Sequence, residues 1–406
     1  MTFGSKSNRP SMGAAMILML LSVGLVFDDG GDLTGQATGS RGGCGGSGSS
    51  TPSICSESRP CLEGETCRDG ECVSDASEAE VHYVQAFDRE LIKWASPHVT
   101  TFEFPTADTA YESVTLYMTI ACPEVPGDCD PWDRTGDLKV VSDDGEHFEI
   151  ARFITPYDIT GSWGSGSGPG SCEWAIDVTP YQSLLRGSVS LRLFITTWIG
   201  GNRGWLISTR FGFREGSPTS VPYRVVNLWN HGGVLYGDPN HPIDEHLQPI
   251  TVPIDGETIG AKVRAIVTGH GQGNTDNAAE FTHRWHRITT GQSNLQWTPW
   301  REDCGENICS PQGGNWQPGR AGWCPGDSVR PTEFELGSAV SGQSSLTLDY
   351  DVEPYENCCR PDNPSCDAQD GSCCISFAGE CGWNQSGHTS PNWRIGSQLI
   401  LYRSVR

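Results

Sequence analysis

Positive charge is scarce in this sequence: 27 lysines and arginines stand against 50 aspartates and glutamates, a formal net charge of −23 over 406 residues. So acidic a chain gains nothing from phosphate backbones or anionic membrane surfaces, which excludes nucleic acid as a partner. The plain role of the charge is to keep the protein soluble. Hydrophobic residues are also sparse, at 36%, whereas there are 50 glycines and 26 prolines. That balance leaves no room for long helices and predicts an all-β protein with much of its length in loops and turns. The apolar run from Ala14 to Phe27 is too short to span a bilayer. It follows Lys6 and Arg9 and reads as the apolar centre of a signal peptide, so residues 1–37 are expected to be a leader. The protein is then expected to be secreted, periplasmic or at the cell surface, with no membrane span. Methionine is rarer still: past the leader Met118 is the only one, and it lies in a core pattern.

Cysteine, by contrast, is abundant, at 17 residues, which fits an oxidising compartment. After a Gly- and Ser-rich tether (38–54), residues 55–76 hold Cys55, Cys61, Cys67 and Cys72 with almost no apolar content. Only cross-links can hold such a stretch, so a small two-disulfide module is expected; zinc would want CxxC pairs or histidines that are missing. A second dense block, 358–381, carries six more cysteines and reads as a stapled insertion before the last strand. Cys122 and Cys129 in "CPEVPGDC" are close enough to close a small loop.

From residue 77 onward the pattern changes to short alternating runs bounded by Gly, Pro, Asn or Asp: "VTLYMTI" (114–120), "SVSLRLFITTW" (188–198), "KVRAIVTG" (262–269) and "SQLILYR" (397–403). Strands without intervening helical patterns predict antiparallel β-sandwiches, with "EGSPTSVP" (215–222) as the link between two of them. In the 188–198 run Val189, Leu191, Leu193 and Ile195 share the core face. Thr196 and Trp198 share the other with Phe194, so that face is expected to be covered by the second domain or by a ligand.

Three constellations carry possible chemistry. "DCDPWDRTGD" (128–137) packs carboxylates, a tryptophan and an arginine after an apolar strand; the bland reading is a solvated turn at a strand end. "TGHGQGNTDNAAEFTHRWHRI" (268–288) reads as a Gly-rich loop and then a strand that puts Glu280, Thr282, Arg284 and His286 on one face. His283 and His286 would then face opposite ways, which argues against metal binding by His270, His283 and His286. "NWQPGRAGWCPG" (315–326) sets Trp316, Arg320 and Trp323 in one loop, a composition suited to stacking on sugar rings and holding their hydroxyls. Packing under a loop explains one of those tryptophans more easily than both.

Taken in order, "CDPWDR", "FEIARFITPY" (148–157), "IDVTPYQSLLRG" (176–187) and "GGNWQPGRAGWCPG" resemble the bacterial peptide-N-glycosidase F family of amidases, over roughly residues 85–350 and the final strand. The resemblance implies two eight-stranded antiparallel jelly rolls packed side by side, here 77–218 and 219–406, with the active site in the cleft between them. It implies hydrolysis, without metal or other cofactor, of the amide bond joining an N-glycan to asparagine. The substrate would be an N-linked glycoprotein or glycopeptide, and the enzyme a monomer. Matched position by position, Asp133 takes the place of the family's principal catalytic aspartate, with Arg134 beside it, and Glu280 that of its second carboxylate. Arg320 and Trp323 match substrate-contacting residues, Trp198 a tryptophan lining the cleft, and Cys304 and Cys324 a family disulfide; Cys172 and Cys309 are additional.

The sequence also departs from the family. Thr196 stands where the resemblance expects a third glutamate, and His270 where it expects a cleft tryptophan. Family cysteines flanking the second carboxylate are replaced by Ala278 and Thr282. The altered cleft leaves two expectations: an amidase with changed glycan preference, or a glycan- or surface-binding protein on the same fold.

Overall fold

The computed structural model describes residues 65–68, 71–74, 80–106, 109–123, 129–159, 170–291, 293–337, 340–357 and 390–405. The leader, the tether, most of the 55–76 stretch and the whole 358–381 block lie outside these residues. Of the cysteine-rich stretch, two short strands are described, β1 (Glu65–Arg68) and β2 (Glu71–Ser74), which pair with each other. No α-helix occurs among the described residues, only short 3₁₀ turns.

The first sandwich comprises β3 (Val81–Gln85), β4 (Glu90–Ile92), β5 (His98–Glu103), β6 (Tyr111–Ala121), β7 (Thr135–Val141), β8 (His147–Ile154), β9 (Ser171–Asp177), β10 (Ser188–Ile195) and β11 (Trp205–Glu215). One sheet has the order β5-β10-β7-β8; the other runs β3-β11-β6-β9, with β4 added against β11, and the paired strands are antiparallel. Alternation explains the packing. Val114, Leu116, Met118 and Ile120 of β6 meet Val189, Leu191, Leu193 and Ile195 of β10 in one buried core.

After the short link at 216–219 the second sandwich follows. Its strands are β12 (Ser220–Leu235), β13 (Ile250–Pro253), β14 (Gly260–His270), β15 (His286–Thr290), β16 (Ser293–Trp297), β17 (Thr332–Gly337), β18 (Ser345–Val352) and β19 (Asn392–Ser404). They form sheets ordered β12-β19-β14-β17 and β13-β18-β15-β16 around a core of their own. The architecture is therefore all-β, two antiparallel jelly rolls.

The sandwiches dock along β8. Its last residues continue a ladder with the second sandwich: Ile154 N donates to Asp327 O (2.9 Å), Gly326 N to Ile154 O (3.1 Å) and Val329 N to Arg152 O (2.7 Å). Ile154 is buried with Ile266, Trp323 and Val329 in a small apolar cluster. Beside it, Arg152 makes two hydrogen bonds to Glu149 (2.7 and 2.8 Å) and two across the junction, to Thr268 Oγ1 (3.0 Å) and Arg394 O (2.9 Å). Burial would push the Glu149 carboxyl up, but Arg152 holds it below the usual range. A Cβ on Gly396 would lie 2.3 Å from Glu149 Oε2, so any larger residue there would push the Glu149 carboxylate out of its place on Arg152. A disulfide between Cys172 of β9 and Cys309 also joins the two sandwiches, across a sequence separation of 137.

Candidate active site

The acidic stretch after β6 is held from within. Cys122 and Cys129 are disulfide-bonded, with Cα atoms 4.9 Å apart. Asp130, fully buried, accepts from Trp132 N (3.1 Å), Arg134 Nε (2.8 Å) and Thr197 Oγ1 (2.7 Å). Thr155 clamps the other side, donating through Oγ1 to Trp132 O (2.7 Å) and accepting from Arg134 N (2.7 Å). Asp133 stands between these fixed neighbours. Burial, offset by Arg320 and Arg134, raises its carboxyl to about 6.

The second carboxyl comes from the other sandwich. Glu280 sits not on a strand but in a turn, because β15 begins only at His286. The backbone is left-handed at Asp276, Asn277 and Ala279 (φ 60, 50 and 69°), which breaks the alternating pattern that predicts a strand here. The turn is stitched to its neighbours: Ala321 N donates to Glu280 O (2.9 Å) and Gly269 N to Ala321 O (3.0 Å). A Cβ on Gly269 would meet Ala279 O at 1.7 Å, so only glycine lets the turn lie this close. Glu280 Oε2 accepts from Gly271 N (2.9 Å). Burial, followed by the charge of Asp133, lifts the Glu280 carboxyl to about 7.

Arg320 lies between the two carboxyls electrostatically and is buried. Its terminal nitrogens are taken by the carbonyls of Asn315 and Pro318. Its Nε has no hydrogen-bond partner and lies 3.7 Å from Glu280 Oε1, too far for a direct hydrogen bond. The guanidinium is sandwiched between Phe281 and Trp323, at 5.1 and 5.0 Å from the ring centres.

Trp323 is buried, donates from Nε1 to Gly269 O (2.7 Å) and stacks beneath the His270 ring at 5.2 Å. His270 Nε2 is 2.9 Å from Thr268 Oγ1, the oxygen that accepts from Arg152. Burial and the charges of Arg394, Arg152 and Arg320 hold His270 well below its ordinary value, so the ring is neutral near pH 7. Thr196 donates through N (2.9 Å) and Oγ1 (3.2 Å) to Thr135 O, directly after Arg134. Trp198 is 65% exposed, so the second sandwich does not cover it.

Asp133, Arg134, Glu280 and Arg320 thus share one electrostatic neighbourhood, with Trp323 against Arg320, His270 stacked on Trp323, and Thr196 and Trp198 following β10. Arg284 is turned elsewhere, paired with Glu353 (2.8 Å) and Asp276 (3.3 Å). His286 is in the core against Tyr350, and His283 packs on Trp300. Among the described residues no group of three His, Cys, Asp or Glu side chains is placed to hold a metal ion. Cys304 and Cys324 are bonded to each other. Sequence reasoning missed Tyr157, whose hydroxyl is pushed up by burial and by Asp133, and whose ring meets Trp132 edge-on at 5.8 Å. The "FITPY" motif contains it, but no spacing rule separates it from a structural tyrosine.

Two carboxyls from different jelly rolls, both with raised proton affinities and both facing the charge of a buried arginine, are an arrangement suited to acid–base hydrolysis. A profile described as "Peptide-N-glycosidase F, C terminal" matches residues 239–377. Peptide-N(4)-(N-acetyl-beta-D-glucosaminyl)asparagine amidase F of Elizabethkingia miricola is 32% identical over 272 residues, 63% of this chain and 72% of that protein. The solved structure of PNGase F, a glycosylasparaginase from Flavobacterium meningosepticum, superposes with a TM-score of 0.62 at 26% identity, covering 80% of this chain and 96% of that one. PNGF-II, at 16% identity and a TM-score of 0.58 over 80% of this chain and 65% of that one, shares the fold. The chain belongs to the peptide-N-glycosidase F family of amidases.

Proposed function

We propose that the protein hydrolyses the amide bond between the first N-acetylglucosamine of an N-glycan and its asparagine, releasing the glycan and leaving aspartate. The observation that carries this reading is that Asp133 and Glu280, from different sandwiches, both interact with the buried Arg320 and both hold a proton more tightly than a free carboxyl does. Hydrolysing an amide needs a base for water, a stabiliser for the oxyanion and a proton for the departing nitrogen. With one carboxyl ionised and the other protonated, Asp133 is read as the base and Glu280 as the acid. Asp133 takes a proton from water as its oxygen attacks the amide carbon; Glu280 hydrogen-bonds the leaving nitrogen and supplies its proton as the carbon–nitrogen bond breaks. The positive charge of Arg320, buried beside both carboxyls, steadies the developing oxyanion, and Arg134, braced by Asp130, holds substrate hydroxyls. Thr196 leaves this side of the cleft without a third carboxylate, and His270 offers a flat neutral ring backed by Trp323; both are read as changes of glycan preference.

Export is inferred from the leader and from the disulfides at 122–129, 172–309 and 304–324. Among the described residues no helix is long and apolar enough to cross a membrane. The test is mass spectrometry of a denatured N-glycoprotein after incubation with the protein. Free glycan together with asparagine-to-aspartate conversion at the glycosylated site, both lost in Asp133→Asn, is the expected result. Intact substrate across several glycan classes would overturn the reading and leave a glycan-binding protein.

A further inference from the structure

Past Thr196 the chain leaves β10 and runs as a loop through Trp198 and Gly200 before β11 begins at Trp205. A second segment, Lys93 to Ala95, is laid along that loop. Trp94 N donates to Ile199 O (3.0 Å), Ala95 N to Thr197 O (2.5 Å) and Lys93 Nζ to Gly201 O (2.6 Å). Trp94 and Ala95 both adopt the left-handed backbone region, with φ of 57 and 45°. For a side chain as bulky as tryptophan this is a costly conformation, and here its effect is to set the indole on Gly200. A Cβ at position 200 would fall 1.9–2.2 Å from ring atoms Cε2, Nε1 and Cζ2, so glycine alone permits the contact. Even with that contact Trp94 remains 62% exposed.

A lone exposed aromatic residue is ordinary. This one is held in a costly backbone conformation, seated on a required glycine, and tied by backbone bonds to the loop that follows Thr196. The loop it covers carries Trp198, and Thr197 of the same loop bonds Asp130, which in turn braces Arg134 beside Asp133. Trp132, directly before Asp133, is 43% exposed, and Trp198 on the loop is 65% exposed.

We propose that Trp94 is a sugar-stacking platform outside the reaction centre, taking a pyranose ring of the glycan at a greater distance from the scissile amide than Trp198. The chemistry favours carbohydrate. The Lys93 ammonium, anchored on Gly201 O, keeps further N–H groups beside the indole as donors suited to sugar hydroxyls. A pyranose lays its C–H face on a flat indole while its hydroxyls stay in water. The inference rests on the amidase reading of the cleft, and its test separates the two.

The kcat/KM of wild type, Trp94→Ala and Trp94→Phe is measured on one glycopeptide carrying either a full branched glycan or only its first two sugars. Trp94→Ala is expected to lower the preference for the full glycan about three- to tenfold, mainly through KM, with Trp94→Phe recovering most of it. An unchanged preference, or an equal loss on both substrates, overturns the platform. Should wild type cleave neither substrate, the amidase reading fails by itself, and calorimetric titration of the free branched glycan decides. Weaker binding by Trp94→Ala than by wild type then sustains the platform; equal or absent binding overturns it.

Discussion

Asp133 and Glu280 differ in one way that governs how the site responds to pH. Because Asp133 acts ionised and Glu280 acts protonated, kcat/KM is expected to rise as pH passes about 6 and to fall above about 7, a bell that a pH–rate series reads directly. Glu280→Gln should remove the alkaline limb and leave the acid limb near 6, because Glu280 is already uncharged where Asp133 titrates. The same shifts act on stability. A carboxyl whose folded proton affinity exceeds its unfolded one stabilises the fold below the unfolded pKa, and that contribution is lost as pH rises through the folded value of about 6. At pH 7 Asp133→Asn should therefore raise unfolding stability by about 1–3 kcal/mol while lowering kcat by roughly 10²–10⁴; urea denaturation alongside turnover checks both. At this scale the sequence exposed Asp133, Glu280 and Arg320 through the motifs that hold them. It did not separate Asp130 from its acidic neighbours, because the hydroxyl that claims it belongs to Thr197, 67 residues away. Nor did it place Trp323 under His270 rather than at the surface.

Among the elements, β8 does the most to join the two halves, and its Glu149–Arg152 pair is the place to test that. Both side chains are nearly inaccessible, so Arg152→Met alone leaves an uncompensated buried carboxylate and should cost about 3–5 kcal/mol. Replacing both partners with apolar residues of similar volume should recover most of that loss in the same denaturation assay, although the bonds to Thr268 and Arg394 O are gone. Strand alternation was legible wherever one face is core, as in β6 and β10. It misled between Ala278 and Trp285, where polar and aromatic residues happen to alternate. Left-handed residues at Asp276, Asn277 and Ala279 and the contact with Gly269 form a turn instead, and neither leaves a periodic signal.

Across the whole molecule, the all-β character of the two sandwiches could be read from short alternating strands bounded by Gly, Pro, Asn and Asp. Their docking could not, because it depends on a ladder from β8 to residues 326–329 and on a bond between cysteines 137 positions apart, neither of which has a local pattern. That bond makes the covalent graph of the protein a closed ring: one route between the halves follows the backbone through 216–219, the other passes through Cys172 and Cys309. Cutting one route leaves the other. A protease nick in the exposed 216–219 link should yield a protein that migrates as one species without reductant and as two with it. Because each half supplies one carboxyl, the nicked form should keep its turnover until the second route is also opened, whereas Cys309→Ser should lose turnover on nicking alone once the halves are diluted.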